Sequence, residues 1–297
     1  MVENNKSCES CQNQECSAKS RKPEETEAEF KERQELERRL CQIKHKIMVL
    51  SGKGGVGKST VAVNLAMALS MEGYRVGLMD VDIHGPSIPK LLGLEGAVIQ
   101  GDENGLLPVQ LSENFKVMSI GFLLREPDDA VIWRGPLKMA LIKQFLKDVH
   151  WGELDFLIID SPPGTGDEPL SVAQLIEHLD GAIIVTTPQE LSIIDVQRSI
   201  GFCRKLRIPV LGVIENMSGF VCPHCGKKTE IFKTGGGERM AKQMGVVFLG
   251  KIPLEPKIVE AGDSGKPFVY HFAGSETAKA FKKALEPVLD VFELGKK

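Results

Sequence analysis

The sequence predicts an α/β fold: a mostly parallel sheet with helices on both faces, preceded by a flexible N-terminal arm. Three observations carry that prediction. From Lys46 onward, apolar runs of strand length alternate with segments of helical periodicity. A glycine-rich stretch, Ser51-Gly52-Lys53-Gly54-Gly55-Val56-Gly57-Lys58-Ser59-Thr60, stands between the first of these strands and the first of these helices. Polar and Pro/Gly-rich motifs follow the strand ends, which is where parallel sheets bind their ligands.

Taken in order, residues 1–45 hold almost no apolar side chain before Phe30. A Glu/Lys/Arg-rich stretch follows, with Leu36, Leu40 and Ile43 at helical spacing. This reads as a cysteine-bearing arm and a short helix, and its charges, mixed in sign, suit a solvated face better than a nucleic-acid arm. Strands are expected at 46–51, 75–80, 116–120, 155–160, 182–187, 210–215 and 247–252. Between the second and third, Gly101-Asp102 and Asn104-Gly105 mark turns within Ala97 to Val109 and predict a small hairpin. From Ala278 to Leu294, Ala278, Phe281, Leu285, Val288, Leu289 and Phe292 form one helical stripe. That stripe is expected to pack on the sheet, because a membrane-surface helix needs a large basic polar face. The chain therefore divides into an arm with its short helix, 1–45, and a nucleotide-binding domain, 46–297, that carries a Cys-x-x-Cys insertion at 222–225.

At 297 residues and 42% hydrophobic, the chain is long and apolar enough to bury one sizeable core. A net charge of -3 gives no overall attraction to nucleic acid or anionic lipid. No apolar run reaches membrane-spanning length, and the N-terminus is polar with no hydrophobic leader. The expectation is a cytoplasmic protein with neither membrane nor nucleic acid as partner. Seven cysteines, an odd number, suit a reducing compartment, so closely spaced pairs are read first as metal ligands or redox groups.

The glycine-rich stretch is a phosphate-binding loop in sequence and in context. Gly52, Gly54, Gly55 and Gly57 let amide N–H groups, Val56 among them, converge on a triphosphate. Lys58 adds a charge for the β and γ oxygens, Ser59 a hydroxyl for Mg2+, and the helix expected to open at Ser59 and Thr60 its positive end. The second expected strand ends in Asp80-Val81-Asp82. Asp82 is the candidate to orient or deprotonate the attacking water and Asp80 to support the Mg2+ shell; a turn built on Asp and Gly-Pro is the plainer alternative. His84 reads as a loop-orienting side chain. Asp160 ends the run Leu157-Ile158-Ile159 and is placed to hold Mg2+ through water, while Asp167 is a candidate cap for the helix expected near Glu168. Asn216 follows an apolar strand and offers a donor and an acceptor to a base edge, or serves as a strand-end turn residue.

Cys222-Pro223-His224-Cys225 sets two thiolates close enough to chelate one centre, yet a tetrahedral site needs two more ligands. Two copies about a twofold axis would supply four thiolates, suited to zinc or to a 4Fe-4S cluster. Cys8, Cys11 and Cys16 in the arm provide three thiolates, either for a second cluster with one position open or as unliganded tail thiols. Cys41 and Cys203 fall on expected helices and read as packing residues.

The lysine-bearing loop, Asp80-Val81-Asp82 and Asp160-Ser161-Pro162-Pro163-Gly164-Thr165-Gly166-Asp167 together resemble the deviant Walker A ATPases, a P-loop NTPase-like fold. Trp133-Arg134-Gly135-Pro136, Val213-Ile214-Glu215-Asn216-Met217-Ser218, the Cys222 to Cys225 knuckle and Gly262-Asp263-Ser264-Gly265-Lys266-Pro267 narrow the resemblance to the Mrp/ApbC-type iron-sulfur carriers, over about residues 45 to 290. The resemblance implies a homodimer in which Lys53 reaches the partner's nucleotide as a catalytic residue, and Asn216 with the segment around Pro253 frames the adenine. It also implies ATP and Mg2+ as ligands, slow ATP hydrolysis coupled to transfer, and a labile 4Fe-4S cluster bridged by Cys222 and Cys225 of two copies. The implied partners are apo iron-sulfur proteins as acceptors and a cluster assembly scaffold as donor. Relatives with an N-terminal cluster carry four cysteines there, and this arm has three. Two other functions compete: a zinc-stapled nucleotide-sensing regulatory dimer, and a partitioning or positioning ATPase, against which the cysteine knuckle argues.

Overall fold

The structure, a computed structural model, describes residues 20–23, 25–102, 105–123, 135–176, 178–222, 224–225 and 227–293. Cys8, Cys11, Cys16, Asn104, Trp133 and Arg134 lie outside the described residues, as do the last four residues of the chain.

Eight strands form the central sheet: β1 (Ile43–Leu50), β2 (Val76–Asp80), β5 (Val109–Ser112), β6 (Phe115–Ser119), β7 (Leu154–Asp160), β8 (Gly181–Thr186), β9 (Val210–Glu215) and β12 (Phe248–Lys251). Their order is β12-β9-β8-β1-β7-β2-β6-β5, and every neighbouring pair is parallel except β5 with β6. The antiparallel edge strand β5 had no counterpart among the expected strands; its four residues alternate half-buried and exposed, too weak a pattern to read beside a turn. β1 begins at Ile43 rather than 46, since Ile43 is buried on the sheet while Lys44 points out and pairs with Asp155. The expected hairpin is present as β3 (Gln100–Asp102) and β4 (Gly105–Leu107).

Inner strands buried on both faces read as continuous apolar runs. Within β1, alternation sends Ile47 and Val49 to one core and Met48 and Leu50 to the other. The first core packs α2 (Lys58–Met71), α3 (Ile88–Leu91), α8 (Pro256–Asp263), α9 (Phe268–His271) and α10 (Glu276–Glu293). The second packs α1 (Glu27–Leu40), α4 (Gly135–Asp148), α6 (Glu190–Lys205) and α7 (Gly236–Met244). α2 is apolar almost all round because it lies between the sheet and α9 and α10. Its one buried amide, Asn64, is satisfied: Nδ2 donates to Thr60 O at 2.8 Å and Oδ1 accepts from Val269 N at 3.0 Å.

The C-terminal stripe packs as expected, with Ala278, Phe281, Leu285 and Val288 buried and Leu289 and Phe292 against the same core. No helix among the described residues is long and apolar enough to cross a membrane. Two expectations need correction. Cys41 is no packing residue: it follows α1 as its C-cap, exposed, with Sγ donating to Arg38 O at 3.2 Å. Cys203 in α6 is buried, and burial pushes its thiol up to about 12. Asp167 is not a cap but the first residue of α5 (Asp167–Leu175), whose N-cap is Gly166.

Candidate functional site

Strand register assembles the site before any side chain is considered. Across the sheet, Asp80 at the end of β2 lies level with Asp160 at the end of β7 and with Ser119 at the end of β6. Val49 of β1 lies level with Asp160, and the phosphate-binding loop begins two residues later. On the other side of β1, Thr186 of β8 pairs with Glu215 of β9. All the polar strand ends therefore share the carboxyl edge of a parallel sheet.

The loop turns between Ser51 and α2, which opens at Lys58, one residue before the expected start. Gly57 has φ +77° and is pressed against Asn216, so a Cβ there would overlap the amide Nδ2. A Cβ on Gly52 would stand 2.5 Å from the Asp195 Cβ and carbonyl oxygen of α6. Around Gly54 and Gly55 space is open for 4 Å, which leaves the mouth of the loop accessible. Ser51 O accepts Gly164 N at 2.7 Å and Val49 O accepts Ser161 Oγ at 2.9 Å, fastening the loop after β7 to the phosphate-binding loop.

Lys58 is the lysine at the centre. Its Nζ pairs with Asp160 Oδ1 and lies 3.8 Å from Asp82 Oδ2. Asp80 is fully buried; it accepts from Ser119 Oγ at 2.8 Å and from Asp82 N at 3.0 Å. Burial, and next the Asp160 carboxylate, pushes Asp80 up to about 8. Burial also raises Asp82, against the pull of Lys58 and of the His84 and Gly85 backbone N–H groups. His84 ties this loop to α5, its Nε2 lying 2.9 Å from Glu168 Oε1, consistent with a loop-orienting role. Lys53 stands half-buried on the phosphate-binding loop.

Among the described residues, three buried oxygens along this edge have no hydrogen-bond partner: Ser51 Oγ, Asp82 Oδ1 and Asp160 Oδ2. Buried polar atoms are seldom left so, and a hard cation among carboxylate oxygens beside a loop of amides suits this donor set. The residues present thus fit a triphosphate with Mg2+, with Ser59 and Thr60 half-buried at the start of α2.

On the base side, Asn216 is placed beside the loop with one of its two N–H donors engaged: Nδ2 donates to Val56 O at 2.9 Å. Pro253 follows Ile252, whose N–H donates to Glu215 O and whose carbonyl accepts Ser218 N, both at 2.9 Å, so the Pro253 segment lies alongside residues 215–218. Glu215 itself went unassigned in the sequence. The signal was available, a carboxylate closing an apolar run just as Asp80 and Asp160 do.

Cys222 and Cys225 stand apart from this cluster, on an excursion that leaves the end of β9. The excursion holds β10 (Phe220–Val221) and β11 (Lys228–Thr229), a two-residue antiparallel pair, with Cys222 N donating to Lys227 O at 3.1 Å. Cys222 is half-buried and Cys225 and His224 are exposed. The backbone N–H of Cys225, then that of His224, and the Cys225 side chain lower the Cys222 thiol below its usual range. Among the described residues no three His, Cys, Asp or Glu side chains gather into a group that would hold a metal ion. The knuckle offers two thiols.

Residues 42–289 match the family model of the NUBPL iron-transfer P-loop NTPases of the ParA group. An iron-sulfur cluster carrier protein from Methanocaldococcus jannaschii is 50% identical over 282 residues, 95% of this chain and 96% of that one. A nucleotide-binding protein from Archaeoglobus fulgidus, solved in complex with ADP, is 41% identical with a TM-score of 0.72, covering 80% of this chain and 93% of that one. The septum site-determining protein MinD from Pyrococcus horikoshii, solved with Mg-ADP, is 25% identical with a TM-score of 0.61, over 82% and 96%.

Proposed function

Because the chain belongs to the iron-transfer P-loop NTPases, we propose that it carries an iron-sulfur cluster between proteins under the control of ATP bound at the phosphate-binding loop. The observation that carries this reading is the half-complete ligand set. Cys222 and Cys225 present two thiols toward the surface, on an excursion rooted at the end of β9, where Asn216 holds the nucleotide loop. Two copies meeting at this face give four thiolates, the number a 4Fe-4S cluster takes. Exposed Val221 and Ile231 on the same excursion supply apolar surface for the contact. The cluster is cargo, received from an assembly scaffold and passed to apo iron-sulfur proteins in a reducing cytoplasm. Cys8, Cys11 and Cys16 of the arm are the candidates for a second cluster site, with unliganded tail thiols as the alternative.

ATP binding follows from the chain's own groups. The loop amides from Gly52 to Thr60 cradle the phosphates, and Lys58 exchanges Asp82 and Asp160 for phosphate oxygens. Mg2+, held by Ser59 and through water by Asp160 with Asp80 behind it, would neutralise charge on the β and γ oxygens. Asp82, freed from Lys58, accepts a proton from water as the water oxygen bonds to the γ-phosphorus. The bond from that phosphorus to the β,γ-bridging oxygen breaks, its electron pair leaves with ADP, and inorganic phosphate departs. Asn216 and Pro253 border the adenine. Lys53, which neither Asp82 nor Asp160 engages, reaches the nucleotide of the second copy. Turnover is slow and works as a switch, because nucleotide controls release only if ATP and ADP favour different dimer arrangements.

The test is anaerobic reconstitution with iron and sulfide, followed by iron, sulfide, zinc and oligomer mass. With residues 1–20 deleted to remove the arm cysteines, iron and sulfide near four per dimer are expected, lost in Cys222→Ala and Cys225→Ala. Unchanged iron in both variants, or zinc in its place, overturns the reading.

A further inference from the structure

The excursion that carries the cysteines is anchored by one buried carboxylate that no motif explains. Glu215, the last residue of β9, is fully buried. Oε1 accepts Gly235 N at 2.8 Å and Ser218 Oγ at 2.5 Å, while Oε2 accepts Gly237 N at 2.6 Å. Ser218 Oγ lies 3.0 Å from Thr234 Oγ1. One carboxylate therefore grips both ends of the excursion: Ser218, where it leaves the sheet, and Gly235 with Gly237, where it returns into α7. A charge this deep is costly unless fully hydrogen-bonded, so its position and that of the N–H groups around it are mutually fixed.

The neighbouring residue faces the other way, into the nucleotide loop. Asn216 donates to Val56 O and abuts Gly57, while its backbone N–H donates to Thr186 O at 2.8 Å. Met217 holds φ +57°, a left-handed conformation that costs a methionine strain and turns the chain back sharply, so that Ser218 returns to Glu215. Two consecutive side chains thus join the phosphate-binding loop to the base of the cysteine knuckle, with no flexible linker between them.

We infer that Glu215 is a positioning residue that couples the nucleotide loop to the Cys222 and Cys225 knuckle. Displacement of the loop at Val56 and Gly57 moves Asn216, and Glu215 transfers that shift to both ends of residues 219–234. The inference rests on the reading that the loop holds ATP, and is independent of whether the cysteines hold a cluster.

The experiment uses full-length protein without iron. N-ethylmaleimide alkylation of Cys222 and Cys225 is followed by peptide mass spectrometry with and without MgATP, and exposed Cys41 serves as internal control. Couplings between sites commonly amount to about 5-fold or more, so a nucleotide-dependent change of about that size is expected at Cys222 and Cys225 in the wild type. In Glu215→Gln the ratio of rates with and without MgATP falls to about 1, with ATP affinity within about twofold of wild type. A purely structural role would raise both rates together and leave their ratio intact. Should Glu215→Gln not fold, Ser218→Ala combined with Thr234→Val removes the outer bonds and lowers the ratio part of the way. A wild-type ratio in whichever variant folds overturns the inference, as does a wild-type protein whose alkylation ignores MgATP. Failure to bind iron overturns the cluster reading and leaves this result standing.

Discussion

The nucleotide loop and the cysteine excursion leave the same edge of the sheet, from β1 and from β9, and are built on opposite terms. Around the phosphate-binding loop, the register of parallel strands fixes Asp80, Asp160 and Ser119 in one row, and both hydrophobic cores lie beneath. The excursion has two strands of two residues each, an exposed Cys225, and one buried carboxylate at its root. Buried, over-determined geometry suits a group that must be gripped the same way at every turnover, since a misplaced phosphate loses rate steeply. A thinly held knuckle suits cargo that must be surrendered, because surface elements with few buried contacts open at little free-energy cost.

Lys58→Ala gives the sharpest test of that division. Removing the one cation between Asp82 and Asp160 leaves the γ-phosphate without its charge partner, and phosphate release is expected to fall by about 100-fold or more. Iron content after reconstitution should stay at the wild-type value, because the thiols stand outside that cluster. Phosphate release and an iron assay on one preparation check both; parallel loss of iron would merge the two regions into one.

Next in size is a difference in stability. Phe281 on α10 is completely buried in the first core, and Phe281→Ala is expected to cost about 3–5 kcal/mol in urea unfolding through lost burial and the cavity left behind. Val221→Ala, on the exposed strand beside Cys222, is expected to change stability by no more than about 0.5 kcal/mol. Equal losses would mean that the excursion folds as part of the core.

The same contrast decides what could be read from sequence. Seven strands were legible because inner parallel strands carry unbroken apolar runs, and the edge strand β5 was not, because four alternating residues beside a turn carry almost no signal. The residues of the acidic row were legible one at a time, each as a carboxylate closing an apolar run. Their convergence on Lys58 needed the strand order, in which β1 lies between β7 and β8 although six strands of the chain separate it from β8 in sequence. Glu215 carries the same signal, but two of its three partners, Gly235 and Gly237, lie twenty and more residues on and contribute only backbone N–H groups, which sequence does not mark. Cys41 was misread because periodicity places a residue at a helix end without saying whether the turn after it is covered.

The smallest expected effect contrasts the two edges of the sheet. At the amino edge, Asp155 accepts from Lys44 Nζ at 2.7 Å and from Arg75 N at 2.9 Å and Nε at 3.2 Å. Burial alone would raise this carboxyl, but the hydrogen bonds from Arg75 and Lys44 outweigh it and hold Asp155 well below the usual carboxylate range. At the carboxyl edge, burial does the reverse to Asp80 and Asp82. A depressed folded-state value contributes stability that is fully present above the unfolded value of about 4 and is lost as pH falls through the folded one. Asp155→Asn is therefore expected to lower the urea midpoint slightly at pH 7, and the wild-type and variant midpoints should converge as pH falls below about 4. A gap that persists unchanged into strong acid would show that the amide disrupts packing at the strand start, and that charge at this edge contributes nothing.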